Sequence, residues 1–408
     1  MQEQRRSRAV VLAAVLGFFV VTLDAVIVNI ALSAMQRNLG GGISGLQWVV
    51  DGYTLMFAAL LLSAGALSDR IGAARSFRGG IAVFVAASMA CGAAPTLGVL
   101  IAARFLQGAA AAVMMPASMS LIGQSFPDPQ RRARAIGMWA MGGAVASTSG
   151  PLLGGLLTVV SWRLIFFVNV PVGLVAALML RRIEASPRAS VRLDLVGQVL
   201  GCLAMGALVY VSVETGALGL TSAPVLGSAA LAVGATAGFF VSQRRAKRPM
   251  MPLQLFRSRN LSVSVFLGFA FMVAYYGLPF VMGLYLQSVR GLSPFATGLV
   301  FLPMMLVGAA LTPLSARIAE RVGVRALVGC GLAAMAAGLL SIALFPSAST
   351  WLIAISMLCV GLGGPTVSPP TTTVLLSSVP SSRSGIASGV YNTSRQIGGA
   401  LAVAVFGA

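Results

Sequence analysis

The residues best placed to do chemistry are a carboxylate and a guanidinium set inside apolar runs. Asp24 stands in Thr22-Leu23-Asp24-Ala25-Val26-Ile27-Val28-Asn29-Ile30-Ala31-Leu32, and Arg104 in Ala103-Arg104-Phe105-Leu106-Gln107-Gly108. An ionisable side chain at bilayer depth is costly unless it faces a partner or water, so each is a functional candidate by default. A carboxylate that alternates between paired and free surroundings can take up and release protons. Arginine keeps its charge, so Arg104 could hold a carboxylate ionised in one conformation and release it in another. The bland alternatives are that Asp24 and Asn29 only bond neighbouring helices and that Arg104 snorkels to an interface. Asp51 and Glu214, nearer the ends of their runs, are further candidates for a proton or cation path.

Other chemistry is excluded or unsupported. The chain has no histidine, which removes the usual general base, its nucleophile pairs and most zinc sites. Cys91, Cys202, Cys330 and Cys359 lie in apolar runs at unrelated spacings, and they read as packing residues with no disulfide or metal role. No glycine-lysine phosphate loop is present, so nothing resembles an ATP motor. No catalytic residue, metal site or cofactor is expected; a proton gradient would supply the driving force.

These side chains must be positioned by membrane-spanning helices. The 408 residues are 58% hydrophobic and 9% charged, where a soluble domain carries about 25% charge. Spans of roughly 20 apolar residues are predicted near 10–32, 47–67, 79–94, 97–122, 135–159, 164–180, 195–213, 224–241, 261–287, 296–314, 326–345, 351–375 and 385–408. The basic start, residues 1–8, has no small-residue cleavage site after it and reads as the flank of a retained first span.

The net charge of +19 is not a nucleic-acid footprint, because the basic residues sit in short clusters between apolar runs. With alternating crossings, nearly all of them fall on one side, in clusters such as Arg5-Arg6-Arg8, Arg131-Arg132-Arg134, Arg181-Arg182 with Arg188 and Arg192, and Arg244-Arg245-Lys247-Arg248. Arg37, Arg163 and Arg290 fall on the other, while Arg104 and Arg395 lie inside spans. The asymmetry implies a multi-pass protein of the cell membrane with a cytoplasmic N-terminus. Thirteen crossings would leave Ala408 outside with no polar cap, so a final span is expected to be missing.

Glycine and proline mark moving parts. Gly142-Gly143 and Gly150-Pro151-Leu152-Leu153-Gly154-Gly155 allow close helix approach and a bend; packing without gating is the alternative. In Gly65-Ala66-Leu67-Ser68-Asp69-Arg70-Ile71-Gly72, Asp69 could latch one conformation by pairing across the cytoplasmic face. Met114, Met115, Tyr275 and Tyr276, with Asn29, are candidates to line an adaptable cavity. Two stretches, 108–137 and 361–389, repeat a proline-bearing small-residue helix, a second proline, a basic turn and a glycine-rich helix. The turn at 67–72 is echoed more weakly at 314–323. Repeated halves are how many secondary transporters are built.

Taken in order, Leu23-Asp24 to Leu32, the Gly65–Gly72 turn, Arg104 to Gly108, the Gly150–Gly155 element and Trp162-Arg163 to Gly173 resemble the major facilitator superfamily, in particular its fourteen-span drug:proton antiporters. The resemblance implies an all-α membrane fold of two six-helix bundles, with two linker helices inserted between them. It divides the chain into a first bundle at 1–183, inserted helices at 184–250 and a second bundle at 251–408. It also implies proton-driven export of lipophilic, often cationic drugs or antibiotics, with Asp24 and Arg104 at coupling positions. Lipid, protons and a lipophilic small molecule are the expected partners, with no nucleic acid, and a monomer is expected. Ala73-Ala74 stand where that family has a basic pair, so the latch would lean on Arg75 and Arg78; Ala146 replaces a usual glycine. Few acids follow Glu214, which disfavours polycationic substrates. The rival readings are a metabolite symporter of the same fold and, from another class, a membrane enzyme or receptor.

Overall fold

Alternation of apolar stretches with glycine, proline and basic turns leaves little choice of element, because backbone polar groups in hydrocarbon must bond within their own helix. A computed structural model describes residues 2–181, 183, 186, 194–246, 249–380 and 383–407, and every regular element among them is helical. The first bundle comprises α1 (Gln2–Leu39), α2 (Ile43–Ile71), α3 (Ala73–Ala93), α4 (Leu97–Ser125), α5 (Pro129–Val160), α6 (Leu164–Phe167) and α7 (Asn169–Leu180). A hairpin of α8 (Leu195–Leu218) and α9 (Ala223–Arg245) follows. The second bundle comprises α10 (Arg259–Leu284), α11 (Pro294–Leu311), α12 (Ser315–Val322), α13 (Val324–Leu344), α14 (Thr350–Gly361), α15 (Gly363–Ser377) and α16 (Ser384–Gly407).

Several of these join end to end, so the elements form thirteen rods among the described residues, matching the thirteen segments expected. Eleven are long and apolar enough to cross a bilayer. Leu164–Leu180 is apolar but shorter, and Ser384–Gly407 carries Asn392, Thr393, Ser394, Arg395 and Gln396 in its middle. Arg182, Arg188, Arg192, Lys247, Arg248, Ala408 and the expected boundary at 184 lie outside the described residues.

Local chemistry sets the rod ends. Thr96 accepts from the Val99 amide at 3.4 Å and Asp128 from the Arg131 amide at 2.8 Å, each satisfying one of a helix's orphan donors. Gly72 joins α2 to α3 at φ +93°, and Gly323 joins α12 to α13 at φ +83°. Those are corresponding turns of the two halves, and both need a conformation that side chains with a Cβ resist. The weak sequence echo there is a real structural repeat.

The packing repeats as well. α1 lies on α5, and α2 and α3 on α4; correspondingly α10 lies on α16, and α11 and α13 on α14. The bundles meet most extensively at two seams, α2 against α16 and α5 against α11, which are equivalent under exchange of the halves, and α1 also touches α10. α8 rests on both α2 and α16. Its outward face, with that of α9, presents exposed Leu195, Val196, Val199, Leu203, Leu231 and Val233, a surface that hydrocarbon solvates without cost.

Candidate functional site

The site is built on α4. Gly108 lets α4 approach α2 so closely that an added Cβ would lie 2.9 Å from the Tyr53 carbonyl carbon, and α1 packs against the same helix. One helical turn separates Arg104 from Gln107, so both face the same way. Arg104 Nη1 forms an ion pair with Asp24 Oδ2 and donates to Gln107 Oε1 at 2.9 Å. Its Nε donates to the Val49 carbonyl at 2.9 Å, and its guanidinium lies 4.4 Å above the Tyr53 ring and 5.8 Å from that of Phe166.

Asp24 Oδ1 accepts from Gln107 Nε2 at 2.8 Å and from Asn169 Nδ2 at 2.9 Å. Both amides also reach Ser88 Oγ, at 3.3 and 3.1 Å, and Ser88 donates to the Phe166 carbonyl at 2.9 Å. Asp24, Gln107, Asn169 and Ser88 are fully buried and Arg104 is 1% exposed. A buried charge pair persists only when geometry and additional hydrogen bonds offset its lost hydration, and here five helices supply them. A proton placed on Asp24 would cancel the pair and leave Arg104 without a counterion, so protonation and packing are linked at this point.

Sequence reasoning brought Asp24 and Arg104 forward and missed Gln107, Asn169 and Ser88. Gln107 was within reach, being one turn from Arg104. Asn169 lies within the Trp162–Gly173 stretch, but neither it nor Ser88 shows any link to Asp24 until the fold brings α7 and α3 to α1.

Asp51 does not join this network. It is fully buried and neither carboxylate oxygen has a partner among the described residues. It lies one turn from both Gln47 and Leu55, on the side of α2 turned to α16. Gln47 Nε2 donates to the Val403 and Ala404 carbonyls at 3.0 and 2.7 Å, and Leu55 packs with Ala400 and Ala404. Glu214, on α8, accepts from Trp48 Nε1 at 2.7 Å.

The bundles are closed at the end opposite the start of α1. There Gly155 faces α11, where an added Cβ would sit 2.7 Å from the Pro294 carbonyl, and Gly298 faces the Pro151 carbonyl in return. Gly150 and Gly154 seat α5 on Val26 and Ile27 of α1. The end of α10 widens into a single π turn at Tyr285–Val289, which aims Gln287 Nε2 at the Ile30 carbonyl (2.9 Å) and Ser288 at Ser33 (3.5 Å). π turns are rare and concentrate where function constrains the helix. At the other end, Asp69 and Arg70 are exposed and form no ion pair among the described residues. Gly65 lies beside Pro116, and a Cβ on Gly72 would meet the Ser186 carbonyl at 2.9 Å. Arg78 reaches the Ile183 carbonyl at 3.4 Å.

The cavity candidates separate. Met114 does not line a cavity: it is 1% exposed, wedged against Gly80 and Gly17 in the core of the first bundle. Successive helical residues point about 100° apart, so Met115 packs only at the edge of that core and is half-buried. Asn29 lies at the seam, where its carbonyl would meet a Cβ on Gly283 of α10 at 2.8 Å. Tyr275 points between α11 and α15, its hydroxyl 3.9 Å from the Met305 sulfur. Tyr276 lies against Gly399 of α16.

Residues 14–403 match the family model described as Major Facilitator Superfamily. The Methylenomycin A resistance protein of Streptomyces coelicolor is 38% identical over 394 residues, which cover 96% of this chain and 83% of that protein. The Multidrug resistance protein Stp of Mycobacterium tuberculosis is 38% identical over 395 residues, covering 96% and 74%. In fold, the chain matches an inward-facing, unoccupied bacterial homolog of the human lysosomal transporter Spinster with a TM-score of 0.70 at 20% identity, covering 98% of this chain and 81% of that one. With this match along nearly its whole length, and with two bundles that repeat one another's packing, the chain belongs to the major facilitator superfamily.

Proposed function

We propose that this chain is a secondary exporter of lipophilic drugs or antibiotics, exchanging them for protons by alternating access. The observation that carries this reading is the buried Asp24–Arg104 pair, held by Gln107 and Asn169 at the junction of α1, α3, α4 and α7. Relatives named for drug and antibiotic resistance support the export direction.

In this mechanism the pair ties α1 to α4 while Asp24 is ionised. A proton arriving on Asp24 removes the attraction and frees α4 to shift, and loss of that proton to the opposite side restores the tie. Asp51, buried without a partner among the described residues in the α2–α16 seam, is a second candidate for the proton path. Gly150, Pro151, Gly154 and Gly155 form the rocking surface, with Gly65, Asp69, Arg70 and Gly72 as the cytoplasmic hinge and latch. Asn29, Met115, Tyr275 and Tyr276 contribute to the substrate path.

The same reading puts the chain in the cell membrane with its N-terminus in the cytoplasm, so the seam closed by Gln47, Gln287 and Gly155 faces outward. The protein works as a monomer without cofactor or enzymatic step, on the division into bundles at 1–183 and 251–408 with linker helices at 184–250. Everted membrane vesicles test it: a lipophilic antibiotic should collapse an imposed pH gradient, and Asp24→Asn should abolish the effect. No substrate-dependent proton movement with any compound of a broad panel would sink the reading, and uptake that follows the gradient inward would favour a symporter.

A further inference from the structure

The second bundle holds a guanidinium that no carboxylate neutralises among the described residues. Arg395 stands halfway along α16, roughly 17 Å from its start at ~1.5 Å per residue, and is half-buried. Its Nε is buried without an acceptor, and Nη2 reaches only the Met272 sulfur at 3.8 Å, a weak acceptor. Its carbon centre is 5.7 Å from the Tyr391 ring, near the limit of a useful cation–π contact.

The contrast with Arg104 is direct. That guanidinium has a carboxylate, an amide oxygen and a carbonyl; Arg395 has none of these. After Glu214 the sequence contains one acid, Glu320, and it is exposed on α12 near the basic end of the bundle. The deficit belongs to the whole second bundle and is not a matter of one rotamer.

An intramembrane charge persists when it faces a partner or a watered path. Arg395 packs against Gly268 and Met272 of α10, and Tyr276 is the next residue along that stripe, seated on Gly399 of α16.

We infer that Arg395 is an anion-binding residue of the substrate site, and that the exported compounds include lipophilic organic acids held by their carboxylate. Nε is buried, but Nη1 is not among the buried groups and makes no hydrogen bond among the described residues, so it offers its N–H donors to a carboxylate, while half-buried Tyr276 gives the apolar body of the ligand a wall. This deepens the exporter reading and rests on it.

Equilibrium binding to the purified chain in nanodiscs tests the inference without any gradient, so its failure is separate from a failure of proton exchange. The probes are a naphthoate, its methyl ester and the matching naphthylmethylammonium. The wild-type chain should prefer the acid to the ester by roughly tenfold or more, the scale of one charge-assisted hydrogen-bonded pair. Arg395→Gln should erase that preference, and Arg395→Lys should retain part of it. Either no acid preference in the wild type, or an unchanged acid-to-ester ratio in Arg395→Gln with only its melting temperature altered, would overturn the assignment and leave Arg395 a packing residue.

Discussion

Asn169, the first residue of α7, donates to Asp24 Oδ1 at 2.9 Å. The carboxylate that sequence singles out in the first helix is thus clamped from the sixth rod as well as from α4. Replacing Asn169 with Leu removes one of two amide donors to that oxygen and orphans part of a buried network, at a cost of about 1–3 kcal/mol. We expect slower substrate-driven proton movement with substrate binding retained, as read in vesicles and by equilibrium binding; unchanged exchange would exclude a role for this clamp.

Asp24→Asn leaves Arg104 buried without its counterion. Breaking such a pair costs about 3–5 kcal/mol, so thermal unfolding in detergent should shift clearly downward. The double variant Asp24→Asn with Arg104→Gln removes the stranded charge and should recover part of the loss, the mark of direct coupling.

Asp51 presents the opposite case. Its two oxygens are buried and unpartnered, so Asp51→Leu should stabilise the protein by about 1–3 kcal/mol while lowering proton exchange. A melting temperature that falls would show that a hydrogen-bond donor for Asp51 exists in the native membrane.

Gln47 bridges the bundles through the Val403 and Ala404 carbonyls. Gln47→Ala removes two hydrogen bonds worth about 1 kcal/mol each from the closed seam alone, which shifts the population toward the state open at that end. Maleimide labelling of a cysteine placed at Ser33 should accelerate; an unchanged rate would mean the glycine contacts alone hold the seam.

Gly155 packs where an added side chain would strike Pro294 and Phe295. Gly155→Leu should act in the same direction as Gln47→Ala and more strongly, opening that end and lowering exchange at preserved expression. If Gly155→Leu labelled as slowly as the wild type, α5 and α11 would not be a closing surface.

Much of this was legible in the residues. The rods follow from apolar length, because hydrocarbon allows no other backbone solution. Asp24 and Arg104 stood out since isolated charges inside such rods are expensive. The turn at Gly72 and its echo at Gly323 were readable as well, being local backbone requirements repeated at corresponding places. What sequence could not give was partnership. Ser88 and Asn169 look like ordinary polar residues in apolar helices until the packing of α3 and α7 brings them to Asp24. Met114 and Met115 look equivalent in one dimension, yet helical rotation buries the first in the core and leaves the second half-exposed. Arg395 reads as one more charge in a span; its lack of a carboxylate partner among the described residues emerges only when each neighbouring helix is in place. Hydropathy and charge are properties of a segment and survive in the sequence, whereas the pairing of buried charges depends on which helix faces which, and that is decided by tertiary structure.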